Sequence, residues 1–268
     1  DSGELKGPRI LTAGTPLYPE NGIPYYLKSD MPPDMLALLP TPKTSEEAAA
    51  IAKDQLDRGA DIVKLFTGSW VKRGEVLPMK VEVASAAAAE AHRKGKLVFT
   101  HASNITGLDV ALKAKVDVIA HALDDDRGFT DSHIQSMKAN HMAMIPTLKL
   151  FKGPPYFKFI LKEVGDFFRA GGQILFGTDV GYMKDYDPTD EYDCMAQSGL
   201  KWNDILASLT TAPAEKFGEA KRRGPIAIGM DGDVVVLATD PAKDVKAFSN
   251  VRYTIRRGQV IYSADAQK

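Results

Sequence analysis

From about Ile10 to Asp179 the chain repeats one theme, a short apolar run of strand length followed by a segment whose apolar residues recur at helical spacing. The helical half is clearest between Thr44 and Leu56. Thr44 and Glu47 have the spacing of a capping box, Ala48, Ile51, Ala52 and Leu56 share one face, and Gly59 supplies the stop. The strand half is clearest at Ile62–Phe66 and recurs at Leu97–His101, 118–121, 142–148 and 174–179. Helices are expected between these runs, near 79–93, 108–115, 131–140 and 157–169, and a further short strand at 9–12. This alternation predicts a parallel sheet with crossover helices.

After Asp179 the pattern changes. A turn-rich stretch with Asp185, Asp187, Pro188 and Asp190 precedes a helix pair near 202–217. From Gly229 onward the chain reads as β, at 233–239, 251–255 and 259–262, with a turn at Arg256-Arg257-Gly258. The organisation expected is a barrel-forming region over 1–223 and part of a small β domain over 224–268.

Composition narrows the function. Hydrophobic residues make up 44% and charged residues 26% of 268 residues, and 34 Lys+Arg against 35 Asp+Glu leave a formal net charge of −1. Bulk charge therefore argues against a nucleic-acid partner or an anionic membrane surface, since neither is attracted by a neutral protein. No run of about 18 apolar residues is present to span a bilayer. The single cysteine, Cys194, excludes an internal disulfide and a cysteine-rich zinc site. One cysteine fits the cytosol, and a secreted or periplasmic location stays open if an upstream signal has been removed. Phosphate-binding glycine loops, Gly-x-Ser-x-Gly and His-Glu-x-x-His are absent.

Four predicted strands carry an ionisable residue in or at the carboxyl end of an apolar run: Lys64, His101, His121 and Asp179. In a parallel α/β barrel those ends point into one mouth. Taken singly, each has an ordinary explanation. A histidine at a strand end can be a hydrogen-bonded core residue, Asp179 can cap the next segment, and Lys64 can extend its amine to the surface. Jointly, four ionisable groups at equivalent positions are costly to bury without a partner, and two imidazoles, a carboxylate and an amine suit zinc or a similar divalent metal. His92 and His133 fall in helices and read as solvated, and His141 precedes a strand and so belongs to the opposite end. Tyr182, following Asp179, is a candidate for lining a substrate pocket, as is Tyr186.

These residues resemble the amidohydrolase superfamily of metal-dependent hydrolases, in particular its imidazolonepropionase and prolidase-like branch. The matching pieces are Ile62-Val63-Lys64-Leu65-Phe66, Thr100-His101-Ala102, Ala120-His121-Ala122, Phe176-Gly177-Thr178-Asp179-Val180-Gly181, Leu209-Thr210-Thr211-Ala212-Pro213-Ala214, and the tail from Gly224 to Leu237 with Gly258-Gln259-Val260. The resemblance implies a (β/α)8 TIM-type barrel with a small β-sandwich-like domain. It also implies a one- or two-zinc site at the mouth, with Lys64 carboxylated by carbon dioxide to bridge metals and His101, His121 and Asp179 as further ligands. The implied activity is cleavage of an amide bond in a small-molecule substrate, as in a dipeptidase or cyclic amidase, by metal-activated water with Asp179 as general acid and base.

One departure stands out. The family's first strand carries a His-x-His pair, and none occurs here. The expectation is that strands one and two of the barrel are absent from this sequence and are supplied by an upstream segment or a complementary chain; a homo-oligomer also stays open. The competing readings are an incomplete, non-catalytic barrel that binds without turnover, and a Schiff-base aldolase using Lys64 as nucleophile.

Overall fold

The computed structural model describes residues 7–267. The chain divides into two compact units. One comprises 11–146 and 158–173; the other comprises the described residues up to Ile10, Thr147–Phe157 and the chain from Ile174 onward. In chain order the elements are α1 (Tyr25–Asp30), α2 (Pro33–Leu36), α3 (Ser45–Asp57), β1 (Ile62–Phe66), β2 (Gly68–Lys72), β3 (Glu75–Pro78), α4 (Val81–Arg93), β4 (Leu97–His101), α5 (Ile105–Lys113) and β5 (Val118–Ala120). They continue with α6 (Asp131–Ala139), β6 (Ala143–Ile145), α7 (Leu148–Phe151), α8 (Phe157–Arg169), α9 (Thr189–Gln197), α10 (Trp202–Leu209), α11 (Thr211–Lys216), β7 (Val234–Leu237), β8 (Val251–Arg256) and β9 (Gln259–Ser263).

The first unit is built on a four-stranded sheet in the order β1-β4-β5-β6, with every pairing parallel. Its strands read as apolar runs because both faces are covered: Val63, Leu65, Val98, Val118, Ile119, Ala143 and Met144 are all fully buried. Helices α3 and α4 pack together through small side chains, Ala48 and Ala52 on one and Ala84, Ala87, Ala88 and Ala91 on the other. The predicted cap of α3 is present, with Thr44 Oγ1 accepting from the Glu47 amide at 3.3 Å. Glu47 reaches back one residue further than a capping box requires, accepting from the Lys43 amide at 2.7 Å.

The connection after β1 is tightly packed. Antiparallel strands β2 and β3 form a hairpin that the sequence pattern did not predict, because Gly68 and the Arg73-Gly74 turn break its alternation. A Cβ added at Gly68 would sit 2.1 Å from the carbonyl oxygen of Ala102, and one at Gly107 would sit 2.0 Å from the same atom. Only glycine lets the hairpin and the start of α5 close on the residue that follows His101.

In the second unit, β7, β8 and β9 form a three-stranded antiparallel sheet in sequence order. The turn between β8 and β9 places Arg257 and Gly258 at positive φ. Tyr192 of α9 stacks on Phe176, with centroids 4.8 Å apart, and lies 5.4 Å from the Phe248 ring, forming an aromatic core.

Four expectations need correction. Residues 9–12 form no strand. The strand expected at 142–148 is shorter, because Thr147 turns left-handed (φ 47°) and Leu148–Phe151 winds into a helical turn. The run 174–179 forms no regular strand: its Phe176 amide donates to the Ser208 carbonyl of α10 at 3.1 Å, so that hydrogen bond is lost to a ladder. Helix α9 lies inside the stretch expected to be turn-rich, entered through Pro188, with Asp190 and Glu191 in its first turn.

Candidate active site

Parallel pairing brings three of the expected site residues together in the first unit. Lys64 lies on β1 opposite Phe99, and Phe66 lies opposite His101 at the end of β4. His121 immediately follows β5. The ring of His101 stacks on Phe66 at 4.8 Å and meets the ring of His121 edge to face at 5.1 Å. The Lys64 amine lies 5.8 Å from the Phe66 ring centroid and donates to the Ala120 carbonyl, next to His121, at 3.3 Å. Tyr18 also meets the Phe66 ring, with centroids 4.6 Å apart, beside the bridge of Leu17 to Leu65.

The environment is dry. His101 and His121 are 7% and 9% exposed. Burial, reinforced by the Lys64 charge, pushes the His101 imidazole down to about 3. Burial, His101 and Lys64 together push His121 well below its ordinary value. Both rings are therefore neutral, the form that can donate a lone pair to a metal. Nε2 of His101 is buried and has no hydrogen-bond partner, so the site contains an unused nitrogen donor that ordinary core packing would have satisfied. Among the described residues no three His, Cys, Asp or Glu side chains gather as a ready cation site. The donor set in this unit is two imidazoles and a lysine. That set fits a divalent cation once the lysine carries an anionic oxygen, as a carbamate does, and fits poorly while it is an ammonium.

Asp179 and Tyr182 belong to the second unit. Asp179 has a left-handed backbone (φ 57°), and its carbonyl accepts from the Met183 amide at 3.0 Å, closing a tight turn. Such a conformation costs a non-glycine residue about 1–3 kcal/mol and persists only where neighbours enforce it. Tyr182 is 56% exposed on the same loop. Of the histidines set aside, His92 pairs with Asp117 at 2.8 Å, His133 takes part in the cap of α6 through its Nδ1, and His141 is an exposed residue at positive φ.

Tyr18, Trp70, Asp124 and Glu163 were missed in the sequence. Trp70 of the hairpin donates its indole N–H to Asp124 at 2.6 Å, tying the hairpin to the loop after His121. Burial pushes Asp124 up to about 7, and its other oxygen has no partner. Glu163 of α8 is buried, accepts from the Leu123 amide at 3.2 Å and is pushed well above the carboxylate range. Asp124-Asp125-Asp126 reads as a solvated acidic run, and nothing local marks its first member as buried.

The profile of the amidohydrolase family matches residues 44–262. The chain belongs to this family. A 43-residue stretch is 49% identical to Amidohydrolase tasK of Hapsidospora irregularis, covering 16% of this chain and 4% of that protein's length. Among solved structures, a Xaa-Pro dipeptidase with methionine bound in its active site matches with a TM-score of 0.85 at 23% identity, over 98% of this chain and 70% of that one. Ochratoxinase of A. niger matches with a TM-score of 0.77 at 18% identity, over 97% and 69%. These likenesses speak for the fold: a mixed α/β architecture with a parallel sheet, similar to that of amidohydrolase proteins.

Proposed function

We propose that this protein is a metal-dependent hydrolase of amide bonds in small molecules, with Xaa-Pro dipeptides as the first substrate class to test and cyclic amides as the second. The observation that carries the proposal is the buried, unpartnered Nε2 of His101 beside a second neutral imidazole and the Lys64 amine. Family membership supports the hydrolytic chemistry. In this reading His101 and His121 hold one or two divalent ions, zinc first among them, together with Lys64 as its carbamate and with Asp179. The parallel sheet is part of an eight-stranded barrel. When bound, the metal supplies Lewis-acid polarisation of the scissile carbonyl and acidifies water to a pKa of about 7.

The chain's own residues do the rest. Phe66, stacked on His101, fixes the ring plane and keeps water from the imidazole, which preserves its neutral form. Asp179 takes the proton from the attacking water onto its carboxylate and delivers it to the departing amine nitrogen, the role its place in the Gly177-Thr178-Asp179 motif supports. Tyr182 is assigned to substrate contact.

Metal content per chain after gel filtration, with hydrolysis of methionyl-proline before and after chelation, tests this function. One or two zinc or manganese ions per chain, and cleavage lost on chelation and restored by metal, are expected. Absence of bound metal after incubation with zinc and bicarbonate, with no cleavage, overturns the proposal.

A further inference from the structure

Among the non-glycine residues of the second unit with left-handed backbones are Thr147, the residue before α7, and Asp179. For a β-branched residue such as Thr147 this is a rare conformation. The same bracket of polar contacts holds the segments that follow both. Glu191 of α9, fully buried, accepts from the Leu148 amide at 2.9 Å through one oxygen and from the Lys149 amide at 2.7 Å through the other. The Lys149 side chain, 5% exposed, then carries its ammonium to Asp185 at 2.7 Å and to the carbonyl of Asp187. Asp185 in turn accepts from the Asp187 amide at 3.0 Å.

The physical consequence follows from burial. An ammonium taken out of water must keep its partners, and both partners identified here lie on the stretch 185–187 that continues the Asp179 turn. Any movement of that stretch would leave a buried charge unpaired. The loop is therefore pinned at its far end by Lys149 and at its near end by the Asp179–Met183 hydrogen bond, and the strained φ of Asp179 is enforced between the two.

We propose that Lys149 is a positioning residue for Asp179, acting through Asp185 and the 179–187 loop to hold the carboxylate where proton transfer requires it. The inference rests on the reading of Asp179 as the proton carrier. Sequence pattern could not reveal it, because Lys149 directly follows a run, 142–148, that reads as an apolar strand.

The test uses the full chain, zinc-loaded, with four single variants and one double variant. Asp185→Asn removes the charge that pairs with the Lys149 ammonium but keeps an oxygen that can accept from it, and a thermal melt checks that the variant is folded. Amide hydrogen exchange in peptides covering 179–187 is expected to accelerate about tenfold or more, while peptides covering 62–66 and 97–101 are unchanged. With methionyl-proline, kcat is expected to fall about 10²-fold with KM little changed, as displacement of a catalytic group without loss of substrate binding predicts. Lys149→Arg is expected to retain more kcat than Lys149→Met, and Asp185→Asn is expected to cost nothing further in an Asp179→Asn background. Unchanged exchange in Asp185→Asn overturns the pinning, and a loosened loop with unchanged kcat overturns the positioning role. Full turnover in Asp179→Asn removes instead the reading of Asp179 on which the inference rests.

Discussion

The imidazoles of His101 and His121 meet edge to face, with ring centroids 5.1 Å apart and ring planes inclined at 72°. Adjacent parallel strands deliver them, one residue closing β4 and the other following β5. With Lys64 reaching the carbonyl of Ala120 from β1, three groups that would each bind a proton in water share a dry site. Burial disfavours the charged form of both imidazoles, and protonating either ring would also place like charges side by side; together these explain the direction of both shifts.

The first prediction concerns pH. His101 is held neutral to about 3 in the folded chain, against an ordinary value of 6.5. Between these values the unfolded chain binds a proton that the folded chain refuses. This contribution to stability is therefore complete above 6.5 and is lost as the pH falls toward about 3. His101→Asn should flatten the pH dependence of the denaturation midpoint of chelated protein across that window. Identical slopes in the two proteins would show that His101 titrates normally.

Lys64→Ala should lose bound zinc, because removing the lysine takes away the only side chain of the three that can become an anionic ligand. Formate or propionate should restore part of the metal and part of the turnover by occupying the vacated space with a carboxylate. Full zinc occupancy without added acid, read by elemental analysis, would exclude Lys64 as a ligand.

Gly107→Ala forces a Cβ to within 2.0 Å of the Ala102 carbonyl, a backbone atom that cannot swing aside. A loss of about 1–3 kcal/mol or more in chemical denaturation is expected. Displacing Ala102 also displaces His101, so zinc affinity should fall with stability. A variant that matches the parent protein in both would mean that the hairpin and α5 can separate without disturbing the site.

Trp70→Phe removes the indole donor from Asp124 and leaves a carboxylate with one oxygen already unpartnered. The expected cost is about 1–3 kcal/mol at pH 8, where Asp124 is ionised. Asp124 sits at about 7, above its ordinary 3.8, so its favourable contribution lies at low pH and is lost as the pH rises through about 7. The cost of the substitution should therefore shrink at pH 5. Denaturation at the two pH values checks this, and a pH-independent cost would contradict the linkage.

The meeting of Lys64, His101 and His121 was legible because parallel strands turn a repeating local pattern into a shared location, whereas Asp179 follows a run that forms no regular strand and lies in the second unit. Helices α3, α4 and α8 were legible for a related reason, since their apolar faces, and the Thr44 cap of α3, are local. The hairpin, α9 and the fate of 174–179 were not, because glycine and acidic residues give mixed local signals that only packing resolves.

What the sequence by itself determined is therefore the βα alternation, the family resemblance and the residue types available for chemistry, all of which depend on neighbours along the chain. The tertiary structure alone decided which polar atoms are buried and with whom. The Trp70–Asp124 bond and the Lys149–Asp185 bracket join residues remote in sequence, and the bare nitrogen of His101 and the elevated carboxylates of Asp124 and Glu163 arise where remote segments bury them. Their energetics are set by desolvation, and desolvation is a property of the packed fold that no run of amino acids carries on its own.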